Sequence, residues 1–279
     1  MSDHLSPVEQ LAYSTVRIET VLADGRIGTG TGFFYSLAKI EDGKHVPVIV
    51  TNKHVVAGGA EGTFKLTLRT ADGKPDRLNH AKFALDSFQQ RWVPHPDGVT
   101  DLCCMPIAPL LHEAAIQNKH FFFVPLDRSL LPSQSDLEDL MGLEQIVMVG
   151  YPNGIWDEVN NFPVFRRGVT ASHPLHDWNG KPEFLIDAAC FPGSSGSPVL
   201  LFDTHGYQSK KGTFLGTSRI KLLGILYAGP QYTVTGEIQI VTVPTVQLPV
   251  AVSPIPNNLG IIIKSSKLND FESLFGQKS

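Results

Sequence analysis

The run Phe191-Pro192-Gly193-Ser194-Ser195-Gly196-Ser197-Pro198 sets two serines between two glycines, and only Ser195 has glycine both two residues before it and one after it. Small neighbours let the backbone turn sharply there, so that Ser195 projects while main-chain N–H groups converge beside it. A projecting hydroxyl next to converging amides is half of what nucleophilic cleavage of an amide bond requires, the amides serving the oxyanion. Taken alone, the run reads equally well as a plain serine-rich turn.

The other half is a base and a group that orients it. His54 follows the apolar run Val46-Pro47-Val48-Ile49-Val50 and the polar Thr51-Asn52-Lys53, which puts it where a buried strand ends and the chain enters a turn. Ten histidines are present, so its position and not its type makes it the candidate base. Asp101 directly precedes Leu102-Cys103-Cys104-Met105, where a strand start can half-bury a carboxylate against an imidazole; Asp97, four residues earlier, is its rival. The 25 glycines and 20 prolines punctuate short runs rich in Val, Ile, Thr and Phe, a pattern of many short strands joined by turns. An all-β barrel or sandwich follows. Helical spacing is confined to short pieces near 8–13, 110–117 and 134–141, and to a C-terminal amphipathic helix over 265–275 that spaces Leu268, Phe271 and Leu274 or Phe275 at three to four residues, with Ser265 a candidate cap.

The order His54, Asp101, Ser195 resembles that of trypsin-like serine proteases and differs from the orders of subtilisin-like enzymes and α/β-hydrolases. The chain looks most like HtrA-type protease domains and, around the serine, like glutamyl endopeptidases, which share Gly-x-Ser-Gly-Ser-Pro. Gly28-Thr29-Gly30-Thr31-Gly32-Phe33 is similar to the family's early glycine-rich strand, and Thr51-Asn52-Lys53-His54-Val55-Val56 to its catalytic histidine motif. Further patches resemble it at 148–152, 167–172, 187–193, 224–229 and 258–263.

The resemblance implies two six-stranded antiparallel Greek-key β-barrels with a short N-terminal and a closing C-terminal helix. Residues 1–120 would carry the histidine and aspartate, and 121–279 the serine. It implies a serine endopeptidase in which Ser195 attacks, His54 relays the proton, Asp101 orients His54, and the Gly193 and Ser195 amides hold the oxyanion. The strand around Tyr227, Ala228 and Gly229 would pair with substrate backbone. Ala189, with Cys190, would floor a pocket that lacks charge and so suits a medium-sized apolar side chain. Ser194 stands where digestive relatives have the aspartate that grips a freshly cut N-terminus, so activation by N-terminal cleavage is not expected. A catalytically silent binding module on the same scaffold is the alternative.

A formal charge of −4 with 18% charged residues speaks against a nucleic-acid partner, and no apolar stretch approaches a membrane span. Charges spread through the first thirty residues interrupt any secretory signal, and three cysteines, two of them adjacent, make a poor disulfide framework. These features lead to the expectation of a cytoplasmic protein with reduced thiols. The chemistry calls for no metal or organic cofactor. Its partners would be protein or peptide substrates and a regulatory protein, or a second copy through oligomerisation, that orders its loops; the 153–163 loop around Trp156 reads as a solvated turn anchored by one aromatic or, alternatively, as the element that senses the partner.

Overall fold

The computed structural model describes residues 5–39, 45–229, 231–237, 250–256 and 258–275. The N-terminal half contains β1 (Thr15–Leu22), β2 (Ile27–Lys39), β3 (His45–Thr51), β4 (Gly59–Arg69), β5 (Pro75–Asp86), β6 (Val93–Pro94), β7 (Cys103–Pro106) and β8 (Phe121–Phe122). They hydrogen-bond in the order β5-β4-β1-β2-β3-β7-β6, with β8 added to β4. Six of these strands are substantial; β6 and β8 have two residues each.

The C-terminal half contains β9 (Gln145–Gly150), β10 (Val164–Thr170), β11 (Glu183–Asp187), β12 (Pro198–Asp203), β13 (Gly206–Ser209), β14 (Gly212–Leu215), β15 (Arg219–Ala228), β16 (Gln231–Glu237), β17 (Val250–Pro256) and β18 (Leu259–Lys264). Six of them close a barrel in the order β10-β11-β18-β15-β12-β9. β9, β10 and β11 follow one another, and β12 returns to lie beside β9, which is a Greek key. β13 with β14, and β16 with β17, form separate two-stranded ribbons.

Three apolar cores account for why these runs are strands. One lies within the N-terminal sheet and one within the C-terminal barrel, while the third draws Phe33, Tyr35, Val48 and Val50 from the first half together with Val149, Leu200, Leu222 and Ile225 from the second. Because side chains alternate along a strand, Val48 and Val50 face this shared core and Ile49 faces the N-terminal one. Strands buried on both faces read as unbroken apolar runs, as Val46–Val50 does. On β15 the phase shifts: Leu222 and Ile225, three apart, both face the shared core, and the register break opposite Val199/Leu200 supplies the extra residue.

Four α-helices precede the last strand's exit: α1 (Pro7–Ala12), α2 (Lys53–Val56), α3 (Ala108–Ile116) and α4 (Gln134–Glu138). α1 and α4 open on capping boxes formed by Ser6 with Glu9 and Ser133 with Asp136. The closing segment differs from the expected amphipathic α-helix. Residues Ser265–Phe271 form a 3-10 helix, followed by one α-turn, α5 (Glu272–Phe275). Leu268 and Phe271, three apart, share one stripe at three residues per turn and are fully buried; of the two candidates that follow, Phe275 packs half-buried against the same core and Leu274 is exposed. Ser265 lies inside this helix rather than capping it.

β5 is not marked as a strand by its sequence, because its first half, 75–80, is largely polar; the apolar alternation that packs it on β4 is confined to Ala81, Phe83 and Leu85. The strand expected at 238–243 lies outside the described residues.

Thr31 on β2 fastens the two halves at their seam. It is fully buried; its hydroxyl donates to the Gly193 carbonyl at 2.9 Å and accepts from the Tyr151 N–H at 3.1 Å. Its own N–H donates to the Ser195 carbonyl, and its carbonyl accepts from the Thr51 hydroxyl. Replacing Thr31 by the near-isosteric Val strands the Tyr151 N–H and the Gly193 carbonyl, which should cost about 1–3 kcal/mol for each orphaned group. Thermal unfolding of Thr31→Val checks this, and a variant as stable as wild type would remove the seam from the account.

Candidate active site

The carboxylate of Asp101 grips His54 twice. One oxygen lies 2.6 Å from the imidazole Nδ1 and the other accepts the His54 main-chain N–H at 3.2 Å. α2 begins at Lys53, directly after β3, so His54 sits on a one-turn helix hung from a buried strand. Asp101 lies two residues before β7, and the Asn52 side-chain amide donates to its carbonyl at 2.8 Å. β3 and β7 are hydrogen-bonded neighbours, and this is why residues so far apart in sequence meet. The carboxylate is partly buried, which on its own would raise its pKa; the hydrogen bond and charge of His54 outweigh burial and hold the group below the ordinary aspartate value.

Asp97, the rival acid, has other work. It caps its own loop through Val99 N–H and the Thr100 hydroxyl and reaches Lys267. His95, buried in the same loop, accepts the Asp97 N–H on Nδ1 and therefore donates from Nε2 to the Lys267 carbonyl at 3.0 Å. Its ring meets Phe271 edge-on at 5.1 Å. The closing 3-10 segment thus clamps the loop that delivers Asp101.

The nucleophile loop is fixed carbonyl by carbonyl. In a planar trans peptide the C=O and the following N–H point opposite ways, so anchoring one aims the other. The Pro192 carbonyl accepts the Asn153 N–H at 2.6 Å, which turns the Gly193 N–H the other way. The Ser194 carbonyl accepts the Ser197 N–H at 3.0 Å, which does the same for the Ser195 N–H. Among the described residues neither the Gly193 nor the Ser195 amide has an intramolecular acceptor. Gly193 (φ +84°) and Gly196 (φ +89°) occupy the left-handed region, and a Cβ on Gly193 would lie 2.5 Å from the Tyr151 carbonyl. Ser195 is half-buried between them, and among the described residues its hydroxyl makes no hydrogen bond.

Around the loop, Ala189 and Cys190 are half-buried. Burial pushes the Cys190 thiol up to about 11, so it is a protonated packing group at neutral pH and no rival nucleophile. Its sulfur lies where any side chain on Gly260 would go, and Gly229 approaches it from another side. Tyr227 interrupts the pairing of β15 with β18, and its hydroxyl donates to Glu183 at 2.9 Å. Ala228 and Gly229 follow it at the end of β15. The 153–163 loop carries Trp156 half-buried between Arg17, 5.6 Å from the ring centre, and Lys65, at 4.7 Å. Sequence reading missed Thr31 and Asn153, whose part is played by a buried hydroxyl and a main-chain amide, and Arg166, which reaches under the loop from β10.

A family model described as a trypsin-like peptidase domain matches residues 30–206. No curated protein sequence matches the chain. Among solved structures, the HtrA-type protease AlgW with a tripeptide aligns at 16% identity and a TM-score of 0.50, covering 96% of this chain and 62% of that one. The active form of the Rv3671c protease from M. tuberculosis aligns at 17% identity with a TM-score of 0.49, over 98% of this chain and 86% of that one. At these identities the AlgW likeness speaks for the fold, which is the two-halved β architecture described above. With the family model covering more than half its length, the chain belongs to the trypsin-like peptidase domain family, whose members are serine endopeptidases.

Proposed function

We propose that this chain cleaves proteins or peptides through a triad of Ser195, His54 and Asp101. The observation that carries the reading is the conjunction of the 2.6 Å His54–Asp101 contact with the two unpartnered amides of Gly193 and Ser195. Asp101 holds the Nδ1 side of the ring, which leaves Nε2 to take the Ser195 proton as the hydroxyl attacks the scissile carbonyl. The developing oxyanion enters between the two amides, each such donor typically lowering the barrier by about 2.7–4 kcal/mol. His54 then protonates the leaving amine, and water activated by the same ring releases the acyl group from Ser195. Substrate backbone would run along Tyr227, Ala228 and Gly229, and the uncharged surroundings of Ala189 and Cys190 suit an apolar side chain before the cut.

Regulation by a protein partner fits the Asn153–Pro192 bond. That bond ties one oxyanion peptide to the base of the Trp156 loop, whose Ile155 and Val159 are exposed. A partner that moved the loop would turn the peptide.

Three substitutions test the reading. Fluorophosphonate labelling and peptide hydrolysis vanish in Ser195→Ala, and an intact wild-type protein that resists the probe would refute an assembled triad. Asp101→Asn should lower kcat about 10³–10⁴-fold by losing the imidazole's orientation. The same substitution should change acid stability: Asp101 binds its proton less tightly folded than unfolded, so the pair's contribution is complete above about pH 4, the ordinary aspartate range, and fades as pH falls through the lowered value. Urea midpoints against pH should show this acid limb in wild type and a weaker one in Asp101→Asn. Finally, Trp156→Ala should alter peptide turnover, oligomeric state or partner binding; a variant unchanged in all of them would leave the loop without a regulatory part.

A further inference from the structure

β10 carries an arginine where its pattern calls for an apolar residue. Along Val164–Thr170 the exposed positions are Phe165 and Arg167, so Arg166 points inward, and its cross-strand neighbour on β9, Met148, is fully buried in the barrel core. A guanidinium in such a place is costly unless something uses its charge or its donors. Among the described residues no carboxylate pairs with it. Its two terminal nitrogens go instead to one loop: Nη1 donates to the Ala189 carbonyl and Nη2 to the Ser194 hydroxyl, the latter at 2.8 Å. Burial pulls the guanidinium's pKa down, and the nearest thiol, Cys190, is itself protonated at neutral pH, so the charge faces only neutral groups.

Those two acceptors flank the segment that forms the site. Ala189 enters the turn, Ser194 immediately precedes the nucleophile, and Pro192 and Gly193 lie between them. Ser194 is fully buried, so its hydroxyl faces the interior and not the substrate. We infer that Arg166 is a positioning residue that spans the underside of the 189–194 turn and holds the oxyanion peptides and Ser195 in register, an inference that rests on the triad reading above. A planar fork with fixed donor directions suits a bridge between two points; a lysine ammonium at the same place supplies charge without the span. Asn153 holds the upper side of the turn at Pro192, and Arg166 holds it from below at both ends.

The test compares wild type, Arg166→Ala and Arg166→Lys by hydrogen–deuterium exchange over residues 189–197 and by kcat and KM on a peptide substrate. Arg166→Ala should exchange about tenfold faster across that segment. Its kcat should fall about 100-fold with KM nearly unchanged, comparable to losing one oxyanion donor. Free guanidinium ion, against sodium chloride at equal ionic strength, should slow the exchange again and restore kcat in Arg166→Ala while leaving Ser195→Ala inactive. Arg166→Lys, which keeps the charge and loses the fork, decides the matter if the alanine variant does not fold: it should show the same faster exchange at a near-wild-type melting temperature. Exchange equal to wild type in a folded variant, or faster exchange with unchanged kcat, overturns the inference. A wild-type protein that turns over no peptide and takes no fluorophosphonate counts against the triad reading, and exchange over 189–197 then decides the strut by itself.

Discussion

The geometry of the loop that carries Ser195 depends on a single peptide plane, that between Pro192 and Gly193. Its carbonyl is held by the Asn153 N–H, and the planarity of the amide then fixes the direction of the Gly193 N–H without any further contact. Were the plane to turn over, the oxyanion site proposed above would lose the Gly193 donor and face a carbonyl instead. Glycine at 193 is what allows the required positive φ, and the closeness of the Tyr151 carbonyl excludes any larger residue. Thr31 holds the next carbonyl in the series, that of Gly193, so the loop is anchored by the other half of the molecule as well as by its own contacts.

That dependence explains the architecture. Neither half has a complete site: β3 and β7 bring His54 and Asp101 together, and the 191–198 turn brings the serine. The shared core that joins them is made by the second faces of strands whose first faces line the separate cores. A strand such as β3 is therefore committed on both sides, and shifting it by one residue would scramble two cores at once. Rigid support for the base comes from this double burial.

Much of this was legible in the sequence because the strands concerned are buried on both faces and read as apolar runs; Val46–Thr51 and Gln145–Gly150 stand out for that reason. The nucleophile turn was legible because its glycines mark backbone geometry that other residues resist. Asp101 could be told from Asp97 only by which strand neighbour each faces, and that is set by the β3–β7 register. β5 was hidden because its apolar alternation is limited to Ala81, Phe83 and Leu85, behind a largely polar first half. Arg166 was hidden for another reason: in Val164-Phe165-Arg166-Arg167 two adjacent arginines give no sign of which points inward. The closing segment was seen as helical, but its three-residue spacing suits a 3-10 helix as well as an α-helix.

The clamp of His95 by Lys267 and Phe271 sets an order of events during synthesis. His54, Asp101 and Ser195 all leave the ribosome before residues 265–271, so a nascent chain can contain every reacting group while the loop that delivers Asp101 is still unclamped. The contacts that hold this loop are thereby completed only with the last elements of the described fold.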